Sequence, residues 1–99
     1  MDLSKLQKEV FQNKQDKGFN TTDVNKEFCY LYGEVGEAFE AYRKKKDNLG
    51  EELADVAIYL FGLSEMLGFD LLDQIEKKVS KNRNRKYKMI DEVNVRVSD

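Results

Sequence analysis

The sequence has no histidine, no proline and no tryptophan, and it has one cysteine, Cys29. Without imidazole and with a single thiol, the nitrogen and sulfur donor sets that zinc and copper favour cannot be assembled within one chain. One cysteine cannot close an internal disulfide, which suits a reducing cytoplasm. Long hydrophobic runs are missing as well. The longest, Val56 to Leu63, falls far short of the roughly 20 apolar residues that span a bilayer. Met1 to Lys17 is polar and lacks the apolar centre of a signal peptide. No internal repeat is visible apart from a doubled acidic pair.

What the chain does have is charge and apolar period. Of 99 residues, 36% are charged, yet the net charge is only −2. That length is one domain with a modest buried fraction. The apolar residues recur at helical spacing, so the chain reads as a helical protein with solvated faces and not as a disordered one.

Taken in order, Ser4 with Gln7 reads as a capping box opening a helix from about Leu3 to Lys17. Leu3, Leu6 and Val10 form its stripe, and Gly18 is its stop. Phe19 follows in a short loop, where it either tucks into the core or lines a ligand pocket. Thr21 or Thr22 is expected to cap a second helix reaching about Lys45. Its expected core stripe is Val24, Phe28, Leu31, Val35, Ala38, Phe39 and Tyr42, with Cys29 as a small core residue. Glu27, Glu34 and Glu37 share a neighbouring stripe at 100° per residue. The basic run at 43–46 suits the negative end of the helix dipole.

Asp47 to Gly50 is a turn short enough to make antiparallel neighbours. The third helix, about Glu51 to Leu67, is apolar on nearly every side, and such a helix is expected to be buried all round. A chain this small cannot achieve that alone, so a partner subunit is expected. Gly68 ends the helix, and Asp70 caps a fourth. The fourth becomes basic, with Lys78, Asn82 and Arg85 on one stripe. That stripe is either an ordinary basic helix end or a phosphate-facing set. Residues 1–88 therefore read as one all-α domain, and 89–99 as a polar tail, frayed or lying over a neighbouring subunit.

Two acidic pairs stand out: Glu34 with Glu37, and Glu52 with Asp55. Residues three apart on a helix are neighbours, and like charges there repel. If the second and third helices form a hairpin, four carboxylates converge and require a cation. Clustered carboxylates suit a hard divalent ion, and Mg²⁺ leaves positions for waters and substrate phosphates. A solvated face paired with lysines is the plain alternative, and carboxylates on so apolar a third helix count against it. Nucleic-acid binding by the basic segment 77–88 is disfavoured by the net negative charge.

Gly33-Glu34-Val35-Gly36-Glu37, then Glu52-Leu53-Ala54-Asp55, then Lys78, Asn82 and Arg85, resembles the MazG-type all-α nucleoside triphosphate pyrophosphohydrolases. The resemblance covers about Leu3 to Tyr87 and is most similar to the dCTP-pyrophosphatase branch. Gly33 stands where the family motif usually carries its first acid. The resemblance implies a four-helix bundle completed by oligomerisation, as a homodimer or homotetramer. It implies Mg²⁺, with Mn²⁺ as a substitute, held by Glu34, Glu37, Glu52 and Asp55. One of Glu34 and Glu37 would orient the attacking water. Tyr59 and Phe19 would meet the nucleotide, and Lys78, Asn82 and Arg85 its phosphates or the subunit interface. The implied reaction is hydrolysis of a nucleoside triphosphate, a deoxynucleotide or modified nucleotide, to monophosphate and pyrophosphate. Phosphoribosyl-ATP hydrolysis and a catalytically silent helical adaptor are the alternatives.

Overall fold

Three aspartates start three of the four helices. Asp2, Asp23 and Asp70 each turn a carboxylate oxygen onto the backbone N–H three residues on, at 3.1, 3.0 and 3.4 Å. Each such cap satisfies an otherwise orphaned donor and is worth about 1 kcal/mol. In the computed structural model, which describes residues 1–85, 87–90 and 93–97, these caps open α1 (Leu3–Asp16), α2 (Val24–Arg43) and α4 (Leu71–Asn84). The remaining helix, α3 (Leu49–Leu67), begins without a side-chain cap. The cap expected at Asp70 is present. Those expected at Ser4 and at Thr21 or Thr22 give way to the stronger acceptors at Asp2 and Asp23.

Ser4 and Gln7 serve a different purpose. Ser4 Oγ donates to Asp70 Oδ2 at 2.8 Å. Gln7 is 3% exposed. Its Nε2 donates to the Phe69 carbonyl at 2.7 Å and its Oε1 accepts from Leu71 N–H at 3.0 Å. The pair pins the start of α1 to the α3–α4 corner.

Three of the helices stop by one device, while α4 ends in extended backbone at Arg85. Gly18 (φ +71°) and Gly68 (φ +80°) take the left-handed turn that closes α1 and α3. Lys45 takes the same turn after α2 at φ +54°, and Lys46 N–H reaches back to the Ala41 carbonyl at 2.9 Å.

The short 44–48 connection folds α2 against α3 as an antiparallel hairpin, and α1 lies along α3. Buried apolar side chains among the described residues are Ala38, Ala41 and Leu63. The inward face of α2 is thus Glu27, Glu34, Ala38 and Ala41, one stripe over from the expected core. Ala38 is buried and Val24 and Leu31 are half-buried, but Phe39 and Tyr42 are 59% and 65% exposed, and Phe28 and Val35 also face outward. Small residues at 38 and 41 let α2 approach α3 closely, and this selects the alanine stripe over the aromatic one. Cys29 is exposed and not a core residue. Leu53, Ile58, Leu60 and Leu67 of α3 also face outward, so the burial expected on every side of this helix is not reached within one chain. The radius of gyration is 16.7 Å, against about 13 Å for a compact domain of 100 residues.

Four helices carry the fold, as expected for an all-α chain. The segment read as a polar tail holds a short antiparallel pair, β1 (Tyr87–Ile90) and β2 (Val93–Arg96), with Tyr87 opposite Arg96 and Ile90 opposite Val93. The alternating Val93, Val95 and Val97 are a period-2, β-branched signal. The first strand begins before the expected domain edge at 88. Residues 86, 91–92 and 98–99 lie outside the described residues.

Candidate active site

The α2–α3 hairpin brings acids from both helices to one place. Glu34 and Glu37, one turn apart on α2, face Glu52 in the first turn of α3. Each of the three offers a carboxylate oxygen within 4.8 Å of the others. Around an octahedral Mg²⁺ adjacent oxygens stand about 3.0 Å apart and opposite ones about 4.2 Å, so the three side chains would have to draw together to bind one ion directly. Asn48 fixes one edge, its Nδ2 donating to Glu52 Oε1 at 3.1 Å. The inner oxygens, Glu34 Oε2 and Glu52 Oε2, are buried with no hydrogen-bond partner. None of the ion pairs among the described residues reaches these three acids. Burial first, then the charges of Glu37 and Asp55, a side-chain hydrogen bond with Glu37 and the charge of Glu52 raise the Glu34 carboxyl above its ordinary range. Buried carboxylate oxygens without partners, here on two half-buried side chains, are costly. A hard cation removes that cost, and the all-oxygen donor set fits Mg²⁺ or Mn²⁺.

Two clefts flank the cluster. One, of about 520 Å³, is lined by Glu37 and Glu52 with Gly33, Gly36, Lys46 and Asn48. The other, of about 440 Å³, is lined by Glu34 and Asp55 with Phe19, Tyr59, Lys14 and Ile58. Asp55, expected as a fourth ligand, lies outside the three-acid cluster. It shares the second cleft with Glu34, close enough to raise that carboxyl. Phe19, 56% exposed, belongs to the wall of this cleft and not to the core. Tyr59 is half-buried there, and its phenol is pushed up by burial and then by Glu34, Glu27, Tyr30 and Asp55. It therefore stays protonated and can donate a hydrogen bond.

Lys78, Asn82 and Arg85 are not brought to the cluster within one chain. Lys78 and Asn82 lie on the exposed face of α4, Arg85 just past its end is half-buried, and Arg85 Nη1 donates to Asn82 Oδ1 at 3.0 Å. None of the three lines either cleft.

Sequence reasoning gave no role to Lys14. Its ammonium is buried, 3.0 Å from Glu27 Oε2 and 4.5 Å from the Tyr59 ring centroid. The available signal was a lysine continuing the Leu6–Val10 stripe. Lys46 and Asn48 were likewise read only as a basic run and a turn.

The chain matches the MazG-like family over residues 25–98, three quarters of its length, and it belongs to that family. Membership points to nucleotide pyrophosphohydrolase-type activity. No curated protein and no solved structure gives a match. No helix among the described residues is long and apolar enough to cross a membrane.

Proposed function

We propose that this chain hydrolyses a nucleoside triphosphate to the monophosphate and pyrophosphate in a Mg²⁺-dependent reaction, with Mn²⁺ able to substitute. The observation that carries the reading is the convergence of Glu34, Glu37 and Glu52, with two buried, unpartnered oxygens, between two clefts of a MazG-like chain. Glu34, Glu37 and Glu52 would hold the ion, with Asp55 as the next oxygen along the cleft. Such an ion neutralises phosphate oxygens and lowers the pKa of a bound water.

The remaining chemistry belongs to the side chains. Phe19 and Tyr59 give the second cleft an aromatic wall suited to a base. Glu34 or Glu37 orients the attacking water and accepts its proton, which is general-base work for a carboxylate. Lys46 offers fixed positive charge in the first cleft.

The working unit in this reading is a homodimer or homotetramer. Support comes from the uncovered face formed by Val35, Phe39, Tyr42 and Leu53, which shapes an apolar groove of about 370 Å³. In such an assembly Lys78, Asn82 and Arg85 of one chain would serve the phosphates bound by its neighbour.

The test is pyrophosphate release from a panel of canonical and modified nucleoside triphosphates, with Mg²⁺ and with chelator. Release that chelator abolishes is expected. Absence of release from every triphosphate, by folded protein that binds Mg²⁺, would overturn the reading in favour of phosphoribosyl-ATP. Absence of Mg²⁺ binding as well would favour the silent adaptor.

A further inference from the structure

Lys14 and Glu27 form a buried ion pair that the chemistry above does not use, with side chains 7% and 1% exposed. Such pairs rarely add net stability, and an apolar pair of similar volume often does as well or better. A leucine at 14 would continue the Leu6–Val10 stripe, so packing alone gives no reason for an ammonium. The geometry points to another role.

The ammonium sits between two groups. On one side Glu27 Oε2 is 3.0 Å away, and on the other the Tyr59 ring lies beneath it, 4.5 Å to the centroid. Glu27 passes the constraint on, its Oε1 accepting from Asn20 Nδ2 at 3.1 Å. Asn20 is tied in turn to the Asp23 backbone by bonds of 2.8 and 3.1 Å. Phe19 between them donates its N–H to the Lys14 carbonyl at 2.9 Å. One run of contacts thus joins the ring of Tyr59 to the loop that carries Phe19.

Space for Lys14 is made by Gly62 of α3. A Cβ there would come within 3.2 Å of Lys14 Cδ and Cε, tighter than an ordinary contact. Lys14, Phe19 and Asn20 precede the residues 25–98 matched to the family, whereas Glu27, Tyr59 and Gly62 lie within them, so the support joins the two parts of the chain.

We propose that the Lys14–Glu27 pair is a positioning element that holds Tyr59 and the Phe19 loop in the wall of the cleft taking the nucleoside end of the substrate. The substrate assignment rests on the function proposed above. Lys14 touches no phosphate and is not a catalytic residue in this scheme.

The test uses the full chain and three variants, Lys14→Met, Glu27→Gln and Gly62→Ala. The last keeps both charges and only crowds the lysine stem. In Lys14→Met and Glu27→Gln, amide exchange across 18–23 should rise about tenfold while the α2–α3 hairpin amides stay unchanged. Mg²⁺ affinity without nucleotide should stay within about twofold. The KM for the preferred triphosphate should rise about tenfold, with kcat within about twofold. Gly62→Ala should raise KM about threefold.

Unchanged exchange across 18–23 in both charge variants would overturn the proposal. So would a fall in kcat and Mg²⁺ affinity at constant KM, or a Gly62→Ala chain with unaltered KM. If the unmodified chain releases no pyrophosphate at all, the functional reading fails separately, and the exchange measurement still decides whether the pair positions the loop.

Discussion

Asn48 Nδ2 holds Glu52 Oε1 at 3.1 Å while the other oxygen of Glu52 is turned inward, buried and without a hydrogen bond. One oxygen is therefore held by Asn48 and the other is left buried without a hydrogen bond, in a carboxylate that lies beside Glu34 and Glu37. This arrangement aims a ligand and also concentrates negative charge in the metal-free chain.

Relieving that charge should stabilise the metal-free protein. Glu34→Gln and Glu52→Gln are each expected to raise metal-free stability by roughly 0.5 kcal/mol, the scale of a like-charge helix pair. Excess Mg²⁺ should stabilise the unmodified chain by about 2.7 kcal/mol at a hundred times Kd, and the variants by much less. Thermal melts with Mg²⁺ and with chelator measure both. Equal Mg²⁺ stabilisation of variants and parent would contradict the ligand assignment.

The raised Glu34 carboxyl makes a signed statement about pH. Its native pKa lies above its ordinary value of 4.5, so the native chain holds a proton more tightly than the unfolded chain. Stability from this group is therefore present at low pH and is lost as pH rises through the native pKa. Metal-free melts should show the unmodified chain gaining on Glu34→Gln as pH falls from neutral toward about 4.5, with no further gain below. Glu40, lowered chiefly by its hydrogen bond from Arg43, works in the opposite direction in both chains and cancels from the comparison. Mg²⁺ binding needs the ionised carboxylate and should weaken over the same window. Parallel profiles for the two chains would count against the cluster as drawn.

Lys45 occupies a left-handed turn at φ +54° that favours glycine. A residue with a Cβ gives up about 1 kcal/mol there, so Lys45→Gly should stabilise the chain by up to that amount. Denaturant unfolding reads it directly. A loss of stability would mean that the lysine side chain contributes more than its backbone costs.

The outward face of the α2–α3 hairpin gives a test of assembly. Phe39 and Leu53 are 59% and 55% exposed, and the function proposed above expects a second copy over them. Light scattering should find a dimer or tetramer at micromolar concentration, and Phe39→Arg with Leu53→Arg should give a monomer. A monomeric parent chain would remove the neighbouring subunit from the scheme.

The four helices and their turns were legible because their signals are local: period, glycine at two helix ends, an aspartate cap at Asp70. The meeting of Glu34, Glu37 and Glu52 was legible because the acids fall on facing sides of two hairpin helices, but the separation of Asp55 from that cluster was not. The choice of inward face on α2 was not. Phe28, Val35, Phe39 and Tyr42 carry more apolar surface than Ala38 and Ala41, and a one-chain reading assigns the larger surface to the core. Close helix approach reverses that assignment, and nothing in the period of α2 distinguishes the two stripes. Lys14 was missed because its meaning depends on Glu27, Tyr59 and Gly62, which are distant in sequence. The strand pair 87–90 and 93–96 was not legible, because polar residues separate its valines and the segment reads as a tail.

The most direct test of the proposed chemistry is hydrolysis of the preferred triphosphate in water enriched in oxygen-18, with Mg²⁺ and with chelator. Attack on the α-phosphorus places one labelled oxygen in the nucleoside monophosphate and none in the pyrophosphate. Chelator should abolish the reaction. Free phosphate formed in place of pyrophosphate, or turnover that survives chelation, would contradict a metal-dependent pyrophosphohydrolase built on Glu34, Glu37 and Glu52, whereas label in the pyrophosphate would move the attack to the β-phosphorus.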